Sequence, residues 1–266
     1  MANVFNTVDS TELQTALGGV PAAGSDVYIS RFASQFATLM DLSANDLLSF
    51  RITAGFTGLF TTDAILTVNQ AGSGKIINEG GTKAVRIKAA SGAGVLYYIE
   101  NNPMSGGAMY VGQGTITTAI NKNGLLDFSD QSIITNAYST GGTMNLPYCS
   151  TALTGLYIRG GSVLLGRDVG TLSIYAGVCT INDTRVSPTT VNVEPGATLR
   201  LKACGNIGTL NASGGTIDFT ELTEPITIST TNIEPGVQFV KNISTDSLVT
   251  FTTVNRPRGR EVVVQR

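Results

Sequence analysis

The chain reads NVEPGATLRL from Asn192 to Leu201 and NIEPGVQFVK from Asn232 to Lys241. Each stretch runs an apolar residue, Glu, Pro and Gly into alternating apolar positions. A turn glycine followed by such alternation recurs, at uneven steps, at Gly161, Gly177, Gly196, Gly215 and Gly236. Between these lies a second strand signal: GLYIRG, GTLSIY, TVNVEPG, IGTLNASG and ITISTTNIEPG. Each unit of about twenty residues therefore holds at least two short strands, bounded by Gly, Pro, Asn or Ser.

A strand of four or five residues is marginal alone. Stacked on similar strands at ~4.8 Å, every backbone group finds a partner above and below, and alternate side chains build one apolar column. A chain that returns to the same place every ~20 residues is a parallel β-helix, a solenoid. The two EPG stretches are then the same corner, two coils apart. Pro presets φ there, and Gly accepts a positive φ. After the EPG glycines the apolar residues fall at +1 and +3 (Ala197 and Leu199, Val237 and Phe239). After Gly161 and Gly215 they fall at +2 and +4 (Val163 and Leu165, Ile217 and Phe219). Corners of different length absorb that slip.

The N-terminal half carries a noisier version, as in GGTKAVRIKA, GAGVLYYIE and GGAMYVGQGTITTAI, with no linker or break in composition. From Ser10 to Ser30 the pattern changes. Ser10 or Thr11 can cap a short helix, Leu13, Ala16 and Leu17 share one face, and Gly18-Gly19 ends it before AGSDVYI enters a strand. A solenoid needs a cap over its first apolar layer. The expected organisation is an N-terminal arm and capping helix over 1–30, a solenoid over 31–254 and a basic C-terminal arm over 255–266. A separate cap over residues 1–70 is the alternative.

This arrangement of capping helix, first coil and coil period resembles right-handed parallel β-helix proteins, a group that includes polysaccharide lyases and the tailspikes and fibres of bacteriophages. The likeness is one of pattern and spreads over most of the chain. Uneven coil lengths point to the right-handed form, since left-handed versions keep a strict hexapeptide period. The expected fold is thus all-β, a right-handed parallel β-helix with a short N-terminal capping helix.

Composition narrows the function classes. Charged residues are 14% and hydrophobic residues 42%, which does not suit a disordered chain. The net charge of −2 gives no sign of nucleic-acid binding. No apolar run approaches the ~20 residues that span a bilayer, and MANVFNTVDSTELQ lacks the basic and apolar regions of a secretory signal. Cys149, Cys179 and Cys204 are widely spaced and form no CxxC, so they read as small buried hydrophobes rather than a zinc site.

Catalytic signals are sparse. The absence of histidine removes imidazole bases and the Ser-His-Asp triad. Acid pairs of the kind a glycosidase needs reduce to Asp127 with Asp130, and Asp218 with Glu221 and Glu224. Asp218 lies between two inward apolar residues and should face solvent; both groups read as solvated surface. NQAGSGKI, Asn69 to Ile76, fails the P-loop pattern and reads as a turn. No catalytic residue, cofactor or metal is expected.

The tail NRPRGREVVVQR is basic. Arg256, Arg258, Arg260 and Arg266 flank Val262, Val263 and Val264, a strand in want of an edge. It reads either as a final strand over the last coil or as an arm that docks on a partner. The resemblance to phage proteins implies a structural virion component, foremost a capsid decoration (cement) protein. Such a protein would be a homotrimer on the major capsid protein of a phage head. The alternative is a tailspike-like module binding a cell-surface glycan, with Tyr97, Tyr98, Tyr110 and Tyr138 as aromatic candidates; a polysaccharide lyase or hydrolase ranks third.

Overall fold

The computed structural model describes residues 2–5, 24, 26–29, 35–36, 40–54, 56, 59–60, 66–81, 84–89, 95–256 and 264–265. The chain is a parallel β-solenoid. It divides into two compact units, Met1–Asn136 and Ala137–Arg266. The proposed capping helix, and the tail residues 257–263 and 266, lie outside the described residues.

In the first unit one stack takes Ala2–Phe5, Asp26–Ile29, Met40–Ile52, Leu66–Asn78, Val95–Asn101 and Gly114–Asn121, each parallel to the one before. Its inward column runs Val27, Phe50, Ile76, Ile99 and Ala119, all essentially inaccessible. A second stack takes Ala84–Lys88, Ala108–Val111 and Leu125–Phe128, with Ile87, Val111 and Phe128 inward. The GSGK stretch lies inside the strand Leu66–Asn78, which corrects its reading as a turn. The ladder includes two strands within the first thirty residues.

One polar row enters this core. Asn78, Asn101 and Asn121 are wholly buried and follow one another on successive coils. The Asn78 amide donates to Asn101 Oδ1 at 2.8 Å, and the Asn101 amide donates to Asn121 Oδ1 at 3.0 Å. Each amide thus satisfies the next, which removes the penalty of burying it.

In the second unit the strands Leu153–Leu165 and Val169–Asp183 pair in parallel and bend at Gly161 and Gly177. Two stacks continue from them. One adds Thr190–Val193, Ile207–Ala212, Ile226–Ile233 and Val249–Asn255. The other adds Ala197–Cys204, Thr216–Asp218, Gln238–Val240 and Val264–Gln265. Val163, Cys179, Leu199, Ile217 and Phe239 form one inward column, so Cys179 fills a core position as a small hydrophobe. All five repeat glycines have positive φ: 77° at Gly161, 84° at Gly177, 85° at Gly196, 76° at Gly215 and 98° at Gly236.

Register decides the corner question. Val193 stands beside Ala212 and Ala212 beside Ile233, so the two EPG corners are indeed two coils apart. On the far side Leu199, Ile217 and Phe239 are in register. The EPG corners therefore take six steps (193 to 199, 233 to 239) and the Ser213-Gly214-Gly215 corner only five (212 to 217). That single residue is the slip seen in the apolar pattern.

Candidate functional site

The broad face of the second unit carries a motif that the glycine spacing does not mark. Thr190-Val191-Asn192, Thr209-Leu210-Asn211, Thr230-Thr231-Asn232 and Thr253-Val254-Asn255 repeat Thr-x-Asn on four successive coils, in register. On the first three coils alternation turns Thr and Asn outward while the middle residue and the one after Asn are buried; on the fourth, Val254 and Arg256 are exposed. The Asn residues form a ladder: Asn211 donates to Asn192 at 2.9 Å, Asn232 to Asn211 at 2.7 Å and Asn255 to Asn232 at 2.7 Å. Asn192 in turn donates to Ser173 Oγ at 3.0 Å. The four Thr hydroxyls have no hydrogen-bond partner among the described residues and stand as a regular row. Uneven coil lengths hide this row from a fixed-period reading, although Thr-x-Asn itself is plain in the sequence.

At one border of this face lies a notch made by the corners. The shorter Ser213-Gly214-Gly215 corner is recessed between Pro195 and Pro235. Gly214 lies against the Pro195 ring, so that a Cβ there would come within 2.7 Å of it. Beside it, on the face side, a second hollow is lined by Glu194, Glu234 and Arg256 and shares Ser213 with the notch. The Ser213 hydroxyl donates to Glu194 at 2.6 Å. Neither Glu194 nor Glu234 has a cationic partner among the described residues, and exposed Arg256 has no carboxylate there.

The carboxylates singled out in the sequence are dispersed. Asp127 lines a shallow groove with Tyr110 and Arg86, whose guanidinium sits 4.4 Å over the Tyr110 ring. Asp130 is exposed in a turn. Asp218 points outward as expected and meets Arg200 of the neighbouring coil at 3.2 Å. Burial pushes its carboxyl up, but the Thr220 amide and hydroxyl and the Arg200 guanidinium outweigh burial and leave it below the ordinary range. Glu221 pairs with Lys202 at 2.5 Å and Glu224 is exposed. Among the described residues no group of three or more His, Cys, Asp or Glu is placed to hold a metal ion, and no helix is long and apolar enough to cross a membrane.

No protein-family model, no curated protein and no solved structure matches the chain.

The aromatic candidates divide. Tyr97 is half-buried, and the Tyr98 hydroxyl donates to Glu100 at 2.5 Å. Tyr138 stacks on Tyr157 at 5.0 Å, and the Arg159 guanidinium lies 5.4 Å from the exposed Tyr175 ring. In the tail, Arg256 is exposed and lines the hollow beside the notch. Val264 and Gln265 pair with Phe239 and Val240 of their own chain, so this backbone continues the ladder. Arg258, Arg260, Val262, Val263 and Arg266 lie outside the described residues.

Proposed function

We propose that this chain is a structural, non-catalytic component of a virus particle, a decoration protein that assembles as a homotrimer on the outside of a phage head. The observation that carries the reading is the Thr-x-Asn face, uncharged in its two columns and regular over four coils. Its amides already hydrogen-bond along the ladder, so what a flat protein surface packed on it has chiefly to satisfy is the row of Thr hydroxyls. Charge depletion is what the centre of a protein interface favours. The virion setting itself rests on the resemblance in sequence pattern. The decorating protein acts by adding buried interface to the shell, with no chemical step.

Two measurements test this. Light scattering on the purified chain should give three times the single-chain mass of 27.7 kDa. Mixed with undecorated phage heads, the protein should sediment with them and raise the temperature at which they burst. A single-chain mass at every concentration removes the free trimer, and failure to sediment with heads removes the decoration role. A second reading, glycan binding, is favoured by the stacked Tyr138 and Tyr157 rings, which offer an apolar face to a sugar. Retention on a glycan array that is lost on Tyr157→Ala would select it.

A further inference from the structure

We infer that the hollow beside the EPG notch, between Glu194 and Glu234, receives Arg256 of a second copy, so that this corner is the seam between subunits. The inference rests on the homotrimer reading and names its contact. It begins with the one-residue difference in corner length, which sinks Ser213-Gly214-Gly215 between the shoulders Pro195 and Pro235. The hollow beside it is flanked by Glu194 and Glu234, two coils apart, a gap of about 10 Å at the usual strand spacing. A guanidinium fits between them with donors to both sides.

Charge placement selects the occupant. Elsewhere in the second unit Asp183, Asp218, Glu221 and Asp246 have cations of their own chain at 2.5, 3.2, 2.5 and 3.5 Å, while Asp168 and Glu224 have none among the described residues. Glu194 and Glu234 also have none among the described residues, and what sets them apart is that they share their hollow with Arg256, which has no carboxylate partner there. One chain thus carries both halves of an ion pair along one edge. Copies meeting along that edge satisfy both halves at once, and a repeated contact of this kind closes into a ring when the rotation allows it. Three corners converging on one axis bring each Arg256 beside the Glu234 of a neighbour.

Charge reversal decides it. Light scattering is run on the full chain and on Glu234→Arg, Arg256→Glu and the double variant, with thermal unfolding to establish that each is folded. The unaltered chain should show three times the single-chain mass of 27.7 kDa. Each single reversal should fall towards the single-chain mass, and the double variant should recover the trimer. Single variants that keep the trimer overturn the seam and leave the trimer standing. Single variants that dissociate without rescue in the double overturn the pairing of these two residues. A shift in melting temperature with no change in mass makes the pair internal to one chain and overturns the contact. An unaltered chain that is already single overturns the trimer reading together with the seam.

Discussion

Thr231 sits at an inward position between Leu210 and Val254, and its buried hydroxyl has no hydrogen-bond partner among the described residues. An unpaired buried hydroxyl costs about 1–3 kcal/mol, and an apolar group of the same shape removes that cost. Thr231→Val should therefore raise stability by roughly 1 kcal/mol, read as a higher urea midpoint with an unchanged slope. The corner glycines differ among themselves in the same quantitative way. A Cβ on Gly215 would lie 2.5 Å from the Ala197 carbonyl oxygen and 2.6 Å from that of Glu194, whereas one on Gly196 meets nothing within 4 Å. Both have positive φ, which costs an ordinary residue about 1–2 kcal/mol. Gly196→Ala should cost about that much, while Gly215→Ala adds a backbone collision and should cost at least twice as much. Equal losses would mean that the corner shifts freely, contrary to the close packing seen.

At the scale of the element, polar ladders hold coils in register. In the first unit Asn101 bridges Asn78 and Asn121 within the core. Asn101→Ala takes the acceptor from the buried Asn78 amide and removes a donor to Asn121 and to the Asn123 and Leu125 carbonyls, and each buried group that loses its pairing costs about 1–3 kcal/mol. The expected loss is about 3 kcal/mol or more, measured by denaturant unfolding. Ion pairs across coils act at the surface of the same stacks. Burial raises the Glu100 carboxyl, but the Lys122 ammonium at 2.7 Å and the Tyr98 hydroxyl outweigh it and hold the group below its ordinary value. A carboxyl with a depressed folded pKa stabilises the fold fully above its unfolded pKa of about 4.3. That contribution is lost as pH falls through the depressed folded value. Stability from this group should hold from neutral pH to about 5 and decline below about 4, and Glu100→Gln should flatten the decline. An unchanged acid profile in the variant would assign the loss to other carboxylates.

For the whole molecule, charge and assembly are linked. The net charge of −2 is small, so long-range repulsion between copies is weak and local pairs dominate. If the seam rests on arginine–carboxylate contacts, ~1 M salt should lower the trimer fraction, because screening then acts within about 3 Å. A salt-independent mass would point to packing of the Thr-x-Asn face instead. The thiols contribute nothing at this scale. Burial pushes the Cys179 thiol far up and the Cys204 thiol up to about 12, consistent with their reading as core hydrophobes.

The fold class was legible in the sequence because its causes are local. Glycine tolerates the positive φ of a corner and proline sets the angle before it. Alternation of apolar residues marks the inward face, as at Leu199, Ile217 and Phe239. The site depended on contacts that the sequence leaves open. Nothing in the sequence pattern marks Asn78, Asn101 and Asn121 as a core row; three coils must stack before each amide answers the next. Arg256 and Val264 read as one arm, yet the backbone at Val264 joins the last coil while Arg256 stays exposed beside the notch. The slip after Gly215 was visible as a mismatch in spacing. Only tertiary register, with Ala212 held beside Val193 and Ile217 beside Leu199, turned it into a missing residue and a recess. Sequence alone determined that the chain must coil and where it can bend, since those are properties of single residues and their neighbours. Which side chains meet across coils was decided by the stacked structure, because coil lengths vary and a one-residue change moves every later contact.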